Sequence, residues 1–98
     1  MTITKTMKET GMNIALEGRL DTTTAPELEQ ALKDSMDSTT ALTLDFAKLD
    51  YISSAGLRVL LSAHKIMSKK DGMKLKNVNE IVSEVLDVTG FADILTIE

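Results

Sequence analysis

The sequence predicts an α/β domain, with a mixed central sheet of about five strands and helices packed mainly on one face. Three observations carry that prediction. Segments that alternate apolar and polar residues interleave with segments whose apolar residues recur every three or four positions. The resulting order is β-β-α-β-α-β-α-β, and strands separated by helices imply parallel pairs joined by right-handed crossovers. Several strands are apolar on one face only, so a single helical layer is enough to cover them.

Residues 3–7 and 12–16 alternate with period two, and Glu9-Thr10-Gly11 between them reads as a hairpin turn. Ile14 and Leu16 share one strand face, and the second strand runs on into Gly18-Arg19-Leu20-Asp21. In TTTAPELEQALKDSMD, Thr24 and Glu27 have capping-box spacing, with Pro26 in the first turn, where its missing N–H costs little. Leu28, Ala31, Leu32 and Met36 form the apolar stripe of that helix. ALTLDF, residues 41–46, is the third strand; a short loop then leads to a second helix over 54–70, closed by Asp71-Gly72. MKLKNV is a short fourth strand. Asn79 caps a third helix with the stripe Ile81, Val82, Val85 and Leu86, and Gly90 ends it. A last strand falls around 95–97. No repeat, linker or low-complexity segment divides the chain, so residues 1–98 read as one domain.

Composition narrows the function. The chain is 98 residues long, 43% hydrophobic and 27% charged, as expected of a soluble globular domain. It has no cysteine, which removes disulfides and thiolate chemistry and suits a reducing cytoplasm. The net charge of −4 and the lack of a Lys/Arg stripe argue against nucleic acid as a partner. Lys65, Lys69 and Lys70 read as a solvated helix end. No apolar run reaches the ~20 residues of a membrane span, and the polar N-terminus lacks a signal peptide's apolar stretch. A cytoplasmic location without membrane contact is the expectation.

Catalytic patterns are missing. The single histidine, His64, has no metal-ligating partner on its helix face and reads as structural. It lies about 15 Å beyond Ser54 along a helix rising ~1.5 Å per residue, too far to serve as that serine's base. The stretch SSAG lacks the first glycine of a nucleophile elbow. No phosphate-cradling glycine motif occurs. Asp21, Asp45 and Asp50 fall at expected strand ends, but nothing beside them implies a substrate. We therefore expect no enzyme, no cofactor and no metal.

Ser53 and Ser54 remain, at the expected start of the second helix. One reading is an N-cap, worth ~1 kcal/mol. Another is phosphorylation, since free N–H groups and the positive dipole end tolerate a phosphate there. About two new negative charges would disrupt an apolar partner surface. Ile52 and Leu57 are core candidates beside this switch, and Met67 is a candidate surface contact.

Three stretches resemble the STAS domain family, specifically its bacterial anti-sigma factor antagonists. GRLDTTTAPELEQAL (18–32) is similar to the family's G-x-L-D-x-x-T-A-x-x-L segment. LTLDFAKLDYISSAGLRVLL (42–61) is similar to its central strand, loop and D-S-[ST]-G-L switch. VLDVTGFADIL (85–95) is similar to its closing helix and T-G turn. The resemblance implies a protein that binds an anti-sigma factor/serine kinase when unphosphorylated, so freeing a sigma factor. It would let go when phosphorylated and be reset by a serine phosphatase. The phosphoacceptor falls on Ser54, with Ser53 as the alternative. Ser53 itself stands where the family carries Asp, and Ala55 replaces a hydroxyl. Asp21, Thr22, Thr23, Asp45, Ser53, Ser54, Ala55, Gly56 and Arg58 are the implied partner-binding residues. A free monomer is implied. The alternative is a STAS interaction module that binds a signalling or envelope-related partner without a phosphorylation switch.

Overall fold

Met12, Ile14 and Leu16 are buried, and so are Leu42, Leu44 and Phe46, whereas the residues between them reach solvent. That alternation places a one-sided apolar sheet at the centre of the molecule. The computed structural model describes residues 1–9 and 11–98. Its strands are β1 (Thr2–Lys8), β2 (Gly11–Leu20), β3 (Ala41–Ile52), β4 (Met73–Lys76) and β5 (Thr96–Ile97), in the spatial order β1-β2-β3-β4-β5. β1 pairs antiparallel with β2, and the remaining pairs are parallel. The helices are α1 (Ala25–Ser35), α2 (Ser54–Met67) and α3 (Glu80–Thr89). Short 3₁₀ turns follow α1 at Met36–Ser38 and α3 at Phe91–Asp93. Each β-α-β connection advances one strand in the same direction, so right-handed crossovers put all three helices on one face. The other face is open and polar, with Asn13, Ala15, Thr43, Asp45 and Lys74 along it.

The element order agrees with the sequence reading, and the boundaries differ for local reasons. The expected turn at Glu9-Thr10-Gly11 includes Thr10, which lies outside the described residues. β3 does not stop at Phe46 but continues to Ile52. Its register against β2 shifts between Ala15/Glu17 and again between Gly18/Arg19, each time setting an additional β3 residue against β2. Buried positions therefore step from Phe46 to Leu49 to Ile52 in threes, which breaks the alternation that marks a strand. α2 ends at Met67, three residues early, and Gly72 N–H closes its last turn on Met67 O at 3.0 Å.

Capping is mixed. Asn79 caps α3 as expected, accepting from Val82 N–H at 2.8 Å, and Gly90 ends that helix in the left-handed region at φ 82. The capping box at Thr24 does not form. Thr24 sits in helical geometry, and its hydroxyl turns back to donate to Arg19 O at 2.7 Å. Lys70, expected in solvent, donates to Met36 O at 2.6 Å and to Thr39 O at 3.0 Å, closing the end of α1 from across the fold. Met67 is fully buried rather than a surface contact, and Ile81 is exposed rather than core.

Candidate functional site

The candidate site is assembled where β2 and β3 end side by side. Leu20 pairs with Ile52, and Ser53 N–H donates to Leu20 O at 2.9 Å. That bond fixes the start of α2 against the turn that begins at Asp21. Ser53 occupies the N-cap position in extended geometry, and its carbonyl accepts from Leu57 N–H at 3.0 Å. Its hydroxyl caps nothing: Oγ is buried and has no hydrogen-bond partner. Ser54, the first helical residue, is exposed. Ser53 thus holds the N-cap position as expected, but neither serine's hydroxyl supplies the expected capping bond, because one faces the interior and the other lies inside the helix, facing solvent. The first turn of α2 carries no acid, which leaves the positive end of its dipole uncompensated.

Gly56 is required at this position by packing. A Cβ there would stand 2.6 Å from Leu20 Cγ and 3.0 Å from Ile52 Cγ1. Ile52 and Leu57 are core, as expected.

The Asp21 turn is held by its own carboxylate. Asp21 Oδ1 accepts from Thr23 Oγ1 at 2.8 Å, Thr23 N–H at 3.0 Å and Thr24 N–H at 3.2 Å. The Thr23 hydroxyl is the largest cause holding the Asp21 carboxyl below its ordinary value, aided by the two N–H groups and opposed by partial burial. Arg19 reaches Asp21 at 3.7 Å and stacks over the Tyr51 ring at 4.6 Å from its centroid, bracing the strand ends. Thr22 and Thr23 are exposed on the same turn.

An apolar groove of about 470 Å³ leads away from this turn between α1 and α2. Thr22, Ala55 and Arg58 line its near end, and Leu32, Met36 and Ala63 line it further along. Sequence reasoning named only the near end. The far wall is composed of core-type residues from two helices, and their spacing within each helix does not reveal that they face one gap.

Asp21, Thr22, Thr23, Ser53, Ser54, Ala55, Gly56 and Arg58 thus come together, but Asp45 does not. β3 runs seven residues beyond it, roughly 20 Å at ~3.3 Å per residue. Asp45 instead accepts from Asn77 Nδ2 and Ala47 N–H, both at 3.0 Å, at the first β3 irregularity. Its carboxyl is held below the ordinary value first by Asn77, then by the Ala47 N–H. The sequence reading took Phe46 as the strand end and so brought Asp45 too close to the Ser53–Ser54 helix start.

His64 is half-buried on α2. Among the described residues no three His, Asp or Glu side chains gather as metal ligands, and no helix is long and apolar enough to cross a membrane.

The STAS domain model matches residues 3–98. BtrV of Bordetella bronchiseptica is 38% identical over 90 residues, covering 89% of this chain and 78% of that protein. The anti-sigma-B factor antagonist of Bacillus subtilis is 29% identical over 90 residues, covering 91% and 83%. The fold is similar to the crystal structure of an anti-sigma factor antagonist from Mycobacterium paratuberculosis. The TM-score is 0.88 at 24% identity, over 98% of this chain and 83% of that one.

Proposed function

This chain belongs to the STAS domain family, and we propose that it is an anti-sigma factor antagonist switched by phosphorylation of Ser54. With Ser54 unmodified it binds an anti-sigma factor that is also a serine kinase, and a sigma factor is freed for transcription. ATP belongs to the kinase. Phosphorylation ends the complex, and a serine phosphatase restores it. The free protein is a cytoplasmic monomer and catalyses nothing itself.

The observation that carries this reading is the contrast between the two serines. Ser54 is exposed on the first turn of an acid-free helix end, whereas Ser53 Oγ is buried. A kinase can reach the first hydroxyl without unfolding the strand end. The phosphoryl group sits favourably at the positive helix end, so the fold tolerates it. The partner does not, because docking on the Asp21 turn and the Thr22–Ala55–Arg58 end of the groove would bury a dianion. A hundredfold loss of affinity requires only ~3 kcal/mol.

Intact-mass spectrometry of the protein from its native cells, with fragmentation, tests the reading directly. Binding titrations with the kinase partner complete it: Ser54→Ala binds and stays bound in ATP, and Ser54→Asp loses about a hundredfold. Ser54→Asp binding as tightly as the wild type would sink the switch. It would favour the module that binds a signalling or envelope-related partner constitutively, a reading that Ser53 in place of the family's acid supports.

A further inference from the structure

One flank of α3, between its buried stripe and the outward-facing Glu80, Glu84 and Asp87, exposes apolar side chains. Ile81 is 59% exposed and Val88 is 81% exposed. Val85, half-buried, lies between them, and the spacing of four and then three residues puts all three on one line of the helix. With Glu84 and Thr89 they border a shallow depression of about 290 Å³. Ile94 and Ile97 are also exposed, at 48% and 38%. Isolated exposed side chains need no explanation, but a helical line of them marks an interaction surface.

Charge narrows the occupant. Residues 77–98 contain Glu80, Glu84, Asp87, Asp93 and Glu98 and no Lys or Arg. The other 76 residues hold ten acids against eleven bases, so the chain's negative charge is concentrated here. Among the described residues, the ion pair these acids make is Glu98 with Lys74 at 3.4 Å. A second copy would bring the same acidic frame against this one, and anionic lipid would be repelled in the same way. A complementary surface has apolar side chains at helical spacing, framed by Lys and Arg.

We propose that the apolar flank of α3, with the acids beside it, is a second docking surface, and that its occupant is a basic amphipathic helix of a partner protein. The site shares no lining residue with the groove beside Ser54. Binding at α3 is therefore indifferent to the charge on Ser54, and two partners can be held at once.

The probe is an 18-residue synthetic helix with Leu at heptad a and d positions and Lys at the flanking positions. A control peptide carries Glu for every Lys. Titration into the full ¹⁵N-labelled chain at physiological salt should shift the amides of α3, with tighter binding of the Lys peptide by fluorescence anisotropy. The double variant Ile81→Ser/Val88→Ser should bind at least tenfold more weakly. Glu84→Lys/Asp87→Lys should reverse the preference between the peptides, and Ser54→Asp should bind like the wild type. All four α3 substitutions are at exposed positions, and a thermal melt checks that each variant is folded. Shifts centred on the α1–α2 groove, or equal affinity for both peptides, would overturn the proposal. Concentration-dependent α3 shifts without peptide would assign the face to a second copy instead. Binding to phosphatidylglycerol vesicles that is lost in Ile81→Ser/Val88→Ser would assign it to a membrane.

Discussion

Gly56 approaches Leu20 so closely that a Cβ on the glycine would stand 2.6 Å from the leucine Cγ. Leu20 is fully buried at the end of β2 and cannot yield, and Ile52 closes the other side. The contact seats the first turn of α2 on the two strand ends and so sets where Ser54 emerges. Gly56→Ala is expected to destabilise the fold by about 1–3 kcal/mol, the usual cost of overpacking a rigid core. Urea denaturation measures it, and an unchanged midpoint would mean that the helix start is free to shift.

Ser53 has the opposite sign. An N-cap serine replaced by alanine ordinarily costs ~1 kcal/mol. Here Oγ is buried without a partner and caps nothing, so removing it relieves an unmet desolvation cost. Ser53→Ala should leave stability unchanged or raise it by up to ~1 kcal/mol. A clear loss in thermal or urea unfolding would show that the hydroxyl finds a partner in solution.

Asn79 does two tasks from one amide. Its Oδ1 accepts from Val82 N–H at 2.8 Å, and its Nδ2 donates to Leu49 O at 2.7 Å, between the two β3 irregularities. Asn79→Ala loses both bonds and should cost about 1–2 kcal/mol. Asn79→Asp keeps the cap and loses the tether, so it should fall between alanine and wild type. Hydrogen exchange separates the effects: the Val82 amide should lose protection in Asn79→Ala only.

Asp45 makes stability depend on acid. Its native pKa lies below the ordinary 3.8, chiefly through the Asn77 amide. A depressed carboxylate contributes fully above the ordinary value and loses that contribution as pH falls through the native one. Asn77 sits at φ 57, so glycine removes its side chain without straining the backbone. In Asn77→Gly the Asp45 carboxyl should titrate closer to its ordinary value by NMR. The fall in stability below about pH 4 should then be shallower than in the wild type. Identical titration curves in the two proteins would remove Asn77 as the cause.

Much of the fold was legible because helix and strand periods are local. Leu28 and Leu32, or Leu42 and Leu44, report their faces from spacing alone. The glycine and asparagine that bound α3 act through their own backbone and side chain, and so they were found. The serines were locatable for the same reason, since a helix start is a local event. The second half of β3 was not legible, because its buried residues step by threes across two irregularities that exist only in register with β2.

The sequence alone determined the order of elements, the one-sided sheet, the place of the two serines at a helix start and the resemblance to a family. Tertiary structure decided what the side chains there do. It turned Ser53 inward and left Ser54 exposed, moved Asp45 away from the serines to Asn77, and opened a groove between α1 and α2. Those outcomes depend on how distant segments are placed against one another. Bonds such as Asn77 to Asp45, 32 residues apart, form through strand register and helix packing, which no single stretch of chain contains.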